Sequence, residues 1–128
     1  MSRYVVERSR GVTRMLWRVR ARLRDSATGE ELELRGEQLA REVRHALERA
    51  DAGDLDALPA DASPFRRYET TPAPDGWHYM TRAEGALDHD YFGRTRSEAF
   101  ARRVVDALNR ANPRKLRNPY GPPKARWF

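Results

Sequence analysis

The 128-residue chain has no cysteine and no isoleucine, and only two of its 25 basic residues are lysine. Without cysteine there is no disulfide framework, no thiolate metal site and no cysteine nucleophile, so zinc-finger readings fall away. Large aliphatic and Phe side chains are also scarce: 11 Leu, 7 Val and 4 Phe. A core built from so few must lean on Ala, Trp and Tyr. No apolar run approaches the roughly 20 residues of a membrane span, and the Arg-rich start lacks the apolar centre of a signal peptide. The expectation is a cytoplasmic protein without membrane contact. There is no Gly-rich phosphate loop, nucleophile elbow or His-x-x-x-His spacing. Glu30 and Glu31 alternate across a strand and do not converge, His45 lies on the polar face of a helix, and Asp88-His89-Asp90 reads as a turn. No catalytic residue, metal or cofactor is expected, and the chain reads as a binder rather than an enzyme.

What is present is positive charge at both ends. Residues 1–24 carry eight Arg against one Glu, and residues 113–128 carry five cations and no acid. The stretch 25–112 between them has 12 basic and 18 acidic residues, so the overall net charge of +6 hides a segregation. Clustered cations displace condensed counterions when they meet phosphates, which suits a polyanionic partner; an acidic protein is the other candidate.

Residues 37–50 (EQLAREVRHALERA) align without gaps on 98–111 (EAFARRVVDALNRA). Arg3-Tyr4 resembles Arg67-Tyr68, and Trp17 and Trp77 each precede an alternating segment. This pattern predicts an α+β protein of two tandem, pseudo-symmetric β-β-β-α units, each an antiparallel sheet with one helix. The first unit spans 1–52, with strands over Arg3–Arg8, Met15–Arg24 and around Leu32 and Leu34. In the long strand Trp17, Val19, Ala21 and Leu23 point to one side, and DSATGE (25–30) supplies a hairpin turn. An acidic linker, 53–64, leads through Leu55 and Leu58 to the second unit, 65–112. There Thr95 and Glu98 read as a capping box, Asn112-Pro113 as the helix stop, and His78, Met80, Arg82 and Glu84 as the outer strand face.

The other side of the long strand presents Arg18, Arg20, Arg22 and Arg24. Residues two apart on a strand stand about 6.7 Å from each other, so the four make a comb roughly 20 Å long that can follow a phosphate backbone. Arg can also bond guanine edges bidentately. If the hairpin pairs Arg24 with Glu31 and Arg22 with Glu33, two teeth of the comb gain cross-strand carboxylates. Exposed pairs of that sort contribute only about 0–1 kcal/mol, so phosphate can compete for the guanidiniums.

Arg10-Gly11-Val12, Trp17, Arg20–Asp25 (RARLRD), Gly29, Leu34 and the Ala-rich helix resemble the three-stranded, one-helix DNA-binding domains of plant ethylene-response factors and integrase amino termini. Trp77, Tyr91-Phe92-Gly93, Thr95 and Glu98-Ala99 are similar in the second unit. The resemblance implies a sheet, not a helix, in the major groove of double-stranded DNA, with Arg10, Trp17, Arg18, Arg20, Arg22 and Arg24 at the contacting positions. If the chain binds DNA, the expected location is nucleoid-associated. The resemblance also implies that only the first unit is equipped for DNA, since the outer face predicted for the second is not basic.

The tail, 113–128, combines four Pro, five cations and three aromatics, and cannot form a regular helix or central strand. Arg114, Lys115, Arg117, Lys124 and Arg126 suit phosphates, with Trp127 and Phe128 stacking or wedging on nucleic acid; alternatively Tyr120, Trp127 and Phe128 anchor on the core or in a protein pocket. The leading expectation is therefore a DNA-binding protein acting through the Arg comb and the tail. The rival is a phage- or mobile-element-type inhibitor or accessory protein that engages an acidic or nucleic-acid-binding partner. A structural subunit of a particle is a third.

Overall fold

A computed structural model describes residues 2–8, 21–58, 67–82 and 91–113. Strands β1 (Tyr4–Arg8), β2 (Ala21–Asp25) and β3 (Glu31–Leu34) precede helix α1 (Glu37–Asp51). Strands β4 (Tyr68–Pro72), β5 (His78–Arg82) and β6 (Tyr91–Thr95) then precede helix α2 (Glu98–Ala111). The fold is α+β, but the strands do not form two separate sheets as the sequence predicts. They make one antiparallel sheet in the order β1-β2-β3-β6-β5-β4. Joining the sheets at β3–β6 leaves β1 and β4 as the edges among the described strands, so two inner edges that would expose unpaired amide groups disappear.

The β2–β3 hairpin forms because Asp25 opens a turn that Gly29 closes at a φ of +80°, with the Gly29 amide donating to the Asp25 carbonyl at 2.7 Å. This turn sets the register Arg22↔Glu33 and Arg24↔Glu31 foreseen from the sequence. Ala21, Leu23, Leu32 and Leu34 consequently all face one way and are fully buried. They meet Ala40, Val43, Ala46 and Leu47 from α1, and Phe100, Val104 and Leu108 from α2, in one continuous core. Both helices therefore cover the same face of the sheet, and no described helix covers the other.

Two details of the second half differ from expectation. Thr95 is the last residue of β6, where its hydroxyl donates to the Glu31 carbonyl at 2.6 Å; Ser97 caps α2 instead, accepting from the Phe100 amide. Ser97 has the three-residue spacing that an N-cap requires, whereas Thr95 is held by the neighbouring strand. Met80 is fully buried and not on the outer face, which places its neighbours along β5, Tyr79 and Thr81, on the helix-free side. The inversion arises from aligning Trp17 with Trp77. In the sheet, Tyr68 pairs with Arg82 as Tyr4 pairs with Asp25, making Met80 the counterpart of Leu23. A register shift between Met80 and Thr81 adds a bulge, and Phe92 packs against the core beside Tyr68.

At the centre, Leu32↔Thr95, Glu33↔Arg94 and Leu34↔Gly93 pair β3 with β6. Gly93 is required there because a Cβ would stand 2.8 Å from Leu34 Cδ2 and 3.2 Å from the Glu33 carbonyl oxygen.

Candidate functional site

Period-two alternation delivers every second side chain to the helix-free face, and the strand registers place these in rows across the sheet. One row crosses all six strands: Glu7, Arg22, Glu33, Arg94, Tyr79 and Thr71. Arg94 Nε donates to Glu33 at 2.8 Å, and Arg22 approaches the other carboxylate oxygen of Glu33 at 3.7 Å. Burial would lower the Arg94 pKa, but bonds to Glu33 and Tyr79 raise it, so it remains charged. Arg24 in the neighbouring row lies 3.8 Å from Glu7 and not against Glu31, the residue directly opposite.

Of the proposed comb, Arg22 and Arg24 are thus on the helix-free face, with side chains 50% and 49% exposed. Each has a carboxylate neighbour at a distance too long for a good hydrogen bond. Such contacts hold an exposed guanidinium weakly and leave it able to exchange partners. Arg10, Arg18 and Arg20, with Trp17, lie outside the described residues, as do Arg114, Lys115, Arg117, Tyr120, Lys124, Arg126, Trp127 and Phe128. Asp88-His89-Asp90 lies outside them too, while His45 is exposed on α1.

Sequence reasoning missed the aromatic half of this face. The Arg94 and Arg96 guanidiniums each sit 4.1 Å from the centre of the Trp77 ring, well within cation–π range. Tyr79 and Tyr91 pack with ring centres 4.2 Å apart, and Arg35 lies 5.6 Å from the Tyr91 ring. Asp75 fixes the turn before β5: its carboxylate accepts from the Trp77 amide at 3.0 Å and from the Tyr79 hydroxyl at 3.0 Å. The Trp77 amide bond leads in lowering the Asp75 pKa, so its charge persists across the neutral range. The signal available in the sequence was the alternation Trp77, Tyr79, Thr81 opposite Arg94 and Arg96, had Met80 been taken as the core residue.

Between Trp77 and the β2–β3 hairpin runs a groove of about 400 Å³, lined by Arg22, Glu31, Glu33, Thr95 and Arg96 among others. Glu31 is exposed, and among the described residues no side-chain hydrogen bond or ion pair engages its carboxylate.

On the helix side, a second charged cluster ties the halves together. Asp25 is fully buried; Arg3 donates to its two oxygens at 2.7 and 2.9 Å, Arg103 at 3.0 Å and the Ala27 amide at 2.9 Å. Burial opposes ionisation, but these bonds prevail and hold the Asp25 pKa at about 2. Tyr4 donates to Asp51 and accepts from Arg103, and burial raises its pKa to about 12. With every oxygen of Asp25 engaged by the protein itself, this cluster is architecture and offers no acceptor to a ligand.

Among the described residues no helix is long and apolar enough to cross a membrane. Comparison with protein-family models, curated proteins and solved structures finds no match.

Proposed function

We propose that the chain is a non-enzymatic nucleic-acid-binding protein that docks through the helix-free face of its sheet. The observation carrying this reading is the pair of half-exposed guanidiniums, Arg22 and Arg24, on the same face as Trp77, Tyr79, Tyr91 and Arg96. Guanidiniums held by long, solvent-screened contacts can exchange a carboxylate for a phosphate, and aromatic rings on a sheet are platforms for bases. The cationic segments 1–24 and 113–128 add the long-range attraction. The resemblance to ethylene-response-factor and integrase amino-terminal domains supports the same orientation, with the sheet against DNA and the helices behind. The two βββα units are, in this proposal, tandem copies of one ancestral unit. The pairing Leu32↔Thr95 and Leu34↔Gly93 around Glu33↔Arg94, related by a local two-fold, supports this.

The test is affinity for duplex and single-stranded DNA over a salt series. Each phosphate contact contributes about 0.9 to the negative slope of log K against log salt on duplex, and changing Arg18, Arg20, Arg22 and Arg24 together to Ser flattens it. Binding absent at low salt, or unaltered in the quadruple variant, refutes the reading.

The alternating carboxylates Glu7 and Glu33 between the cations favour a second reading, a protein partner with a complementary charged row. In that case capture of the partner persists after nuclease treatment and depends on Trp127 and Phe128.

A further inference from the structure

The groove beside Trp77 combines a cation–aromatic wall, a fork-shaped donor and a carboxylate that accepts from no side chain among the described residues. Arg96 supplies the wall by lying 4.1 Å from the Trp77 ring centre, Arg22 stands on the opposite bank, and Glu31 projects between them from the start of β3. A volume of about 400 Å³ is enough for one nucleotide.

We propose that this groove takes a single unstacked guanine of a nucleic-acid strand, a refinement that rests on the nucleic-acid reading given above. The choice of base follows from hydrogen-bond chemistry. A carboxylate accepts two parallel bonds and donates none, so it matches only a base edge with two adjacent donors. Guanine alone has one, at N1–H and the N2 amino group. Adenine and cytosine set an acceptor nitrogen beside their amino group, and uracil and thymine flank their N3–H with carbonyls, so each turns a lone pair toward the second carboxylate oxygen. Guanine also offers O6 and N7 to a guanidinium fork, the commonest specific contact of arginine with a base. One base thus satisfies both Glu31 and Arg22, while its flat face stacks on the Arg96–Trp77 wall. The neighbouring Arg24 lies one residue pair along β2 and is placed to meet the phosphate that follows.

The experiment compares d(TGT), d(TAT) and free guanosine monophosphate on the intact chain, following the Trp77 indole N–H resonance, assigned with Trp77→Phe. A dT oligonucleotide serves as the probe of sequence-independent binding. The expected result is d(TGT) binding about tenfold or more tightly than d(TAT), consistent with one bidentate contact. In Glu31→Gln this preference disappears, because the amide replaces one acceptor by a donor, while dT binding and its salt dependence persist. Equal binding of d(TGT) and d(TAT), or a preference that survives Glu31→Gln, overturns the guanine site but leaves the general reading standing if dT still binds. Guanosine monophosphate binding as tightly as d(TGT) overturns the strand assignment in favour of a free nucleotide. Loss of every interaction at low salt overturns both proposals. Glu31 is exposed and has no side-chain partner among the described residues, so Glu31→Gln leaves the fold intact, which the far-ultraviolet circular dichroism of the variant checks.

Discussion

Replacing Asp25 with Asn removes the charge on which Arg3 and Arg103 converge while keeping the shape of the side chain. The folded pKa of about 2 lies well below the ordinary 3.8, which corresponds to about 2 kcal/mol of stability at neutral pH. Because the folded value is depressed, that contribution is fully present above about pH 4 and disappears as pH falls toward 2. Asn also turns an amide donor toward one of two guanidiniums. Their side chains are 38% and 34% exposed, so water recovers part of the loss. The net cost is about 2–4 kcal/mol, a fall in melting temperature of about 10 °C for a chain of this size. Urea unfolding followed by circular dichroism at pH 7, 4 and 2.5 measures it. The gap between the wild type and Asp25→Asn is widest at pH 7 and narrows by pH 2.5. A gap below about 0.5 kcal/mol at pH 7, or one independent of pH, refutes the account of the cluster as the lock between the halves.

Asn109 is buried in α2 and acts as a short piece of strand: its side chain accepts from the Arg67 and Tyr68 amides and donates to the Tyr68 carbonyl, with distances of 2.8, 2.8 and 3.0 Å. Asn109→Ala strands these groups and costs about 2–4 kcal/mol, read as a lower urea midpoint with an unchanged slope. At the sheet centre, Gly93→Ala drives a methyl against Leu34 and the Glu33 carbonyl and costs about 1–3 kcal/mol, whereas Gly29→Asn, at a turn with open space and positive φ, changes the midpoint little.

The first half of the sheet was legible because its signals are local. DSATGE fixes a tight turn, the turn fixes the register, and the register brings Arg22 to Glu33 and buries Leu23 against Leu32. The end of α2 at Asn112-Pro113 was legible for the same reason. Asp25 was not, because a turn aspartate and a buried one look alike in sequence, and Arg103, which engages it, lies 78 residues away. Trp77 was assigned to the wrong side since the alternation of β5 has two phases of similar polarity, and only pairing with Tyr68 and Gly93 decides between them. The merging of two sheets into one depends on β3 finding β6, an encounter that no short window of residues encodes.

The Glu33–Arg94 pair at the middle of that seam has a bearing on assembly. If the chain were divided between residues 59 and 66, the first fragment could shield its bare β3 edge by pairing with another copy of itself, but this antiparallel register would set carboxylate against carboxylate at position 33. Two copies of the second fragment would oppose guanidiniums at position 94. Only the mixed pair brings opposite charges together, so the fragments are built to find each other in preference to their own kind. Co-expressed halves should reconstitute one sheet, because each finds its complementary charge only on the other.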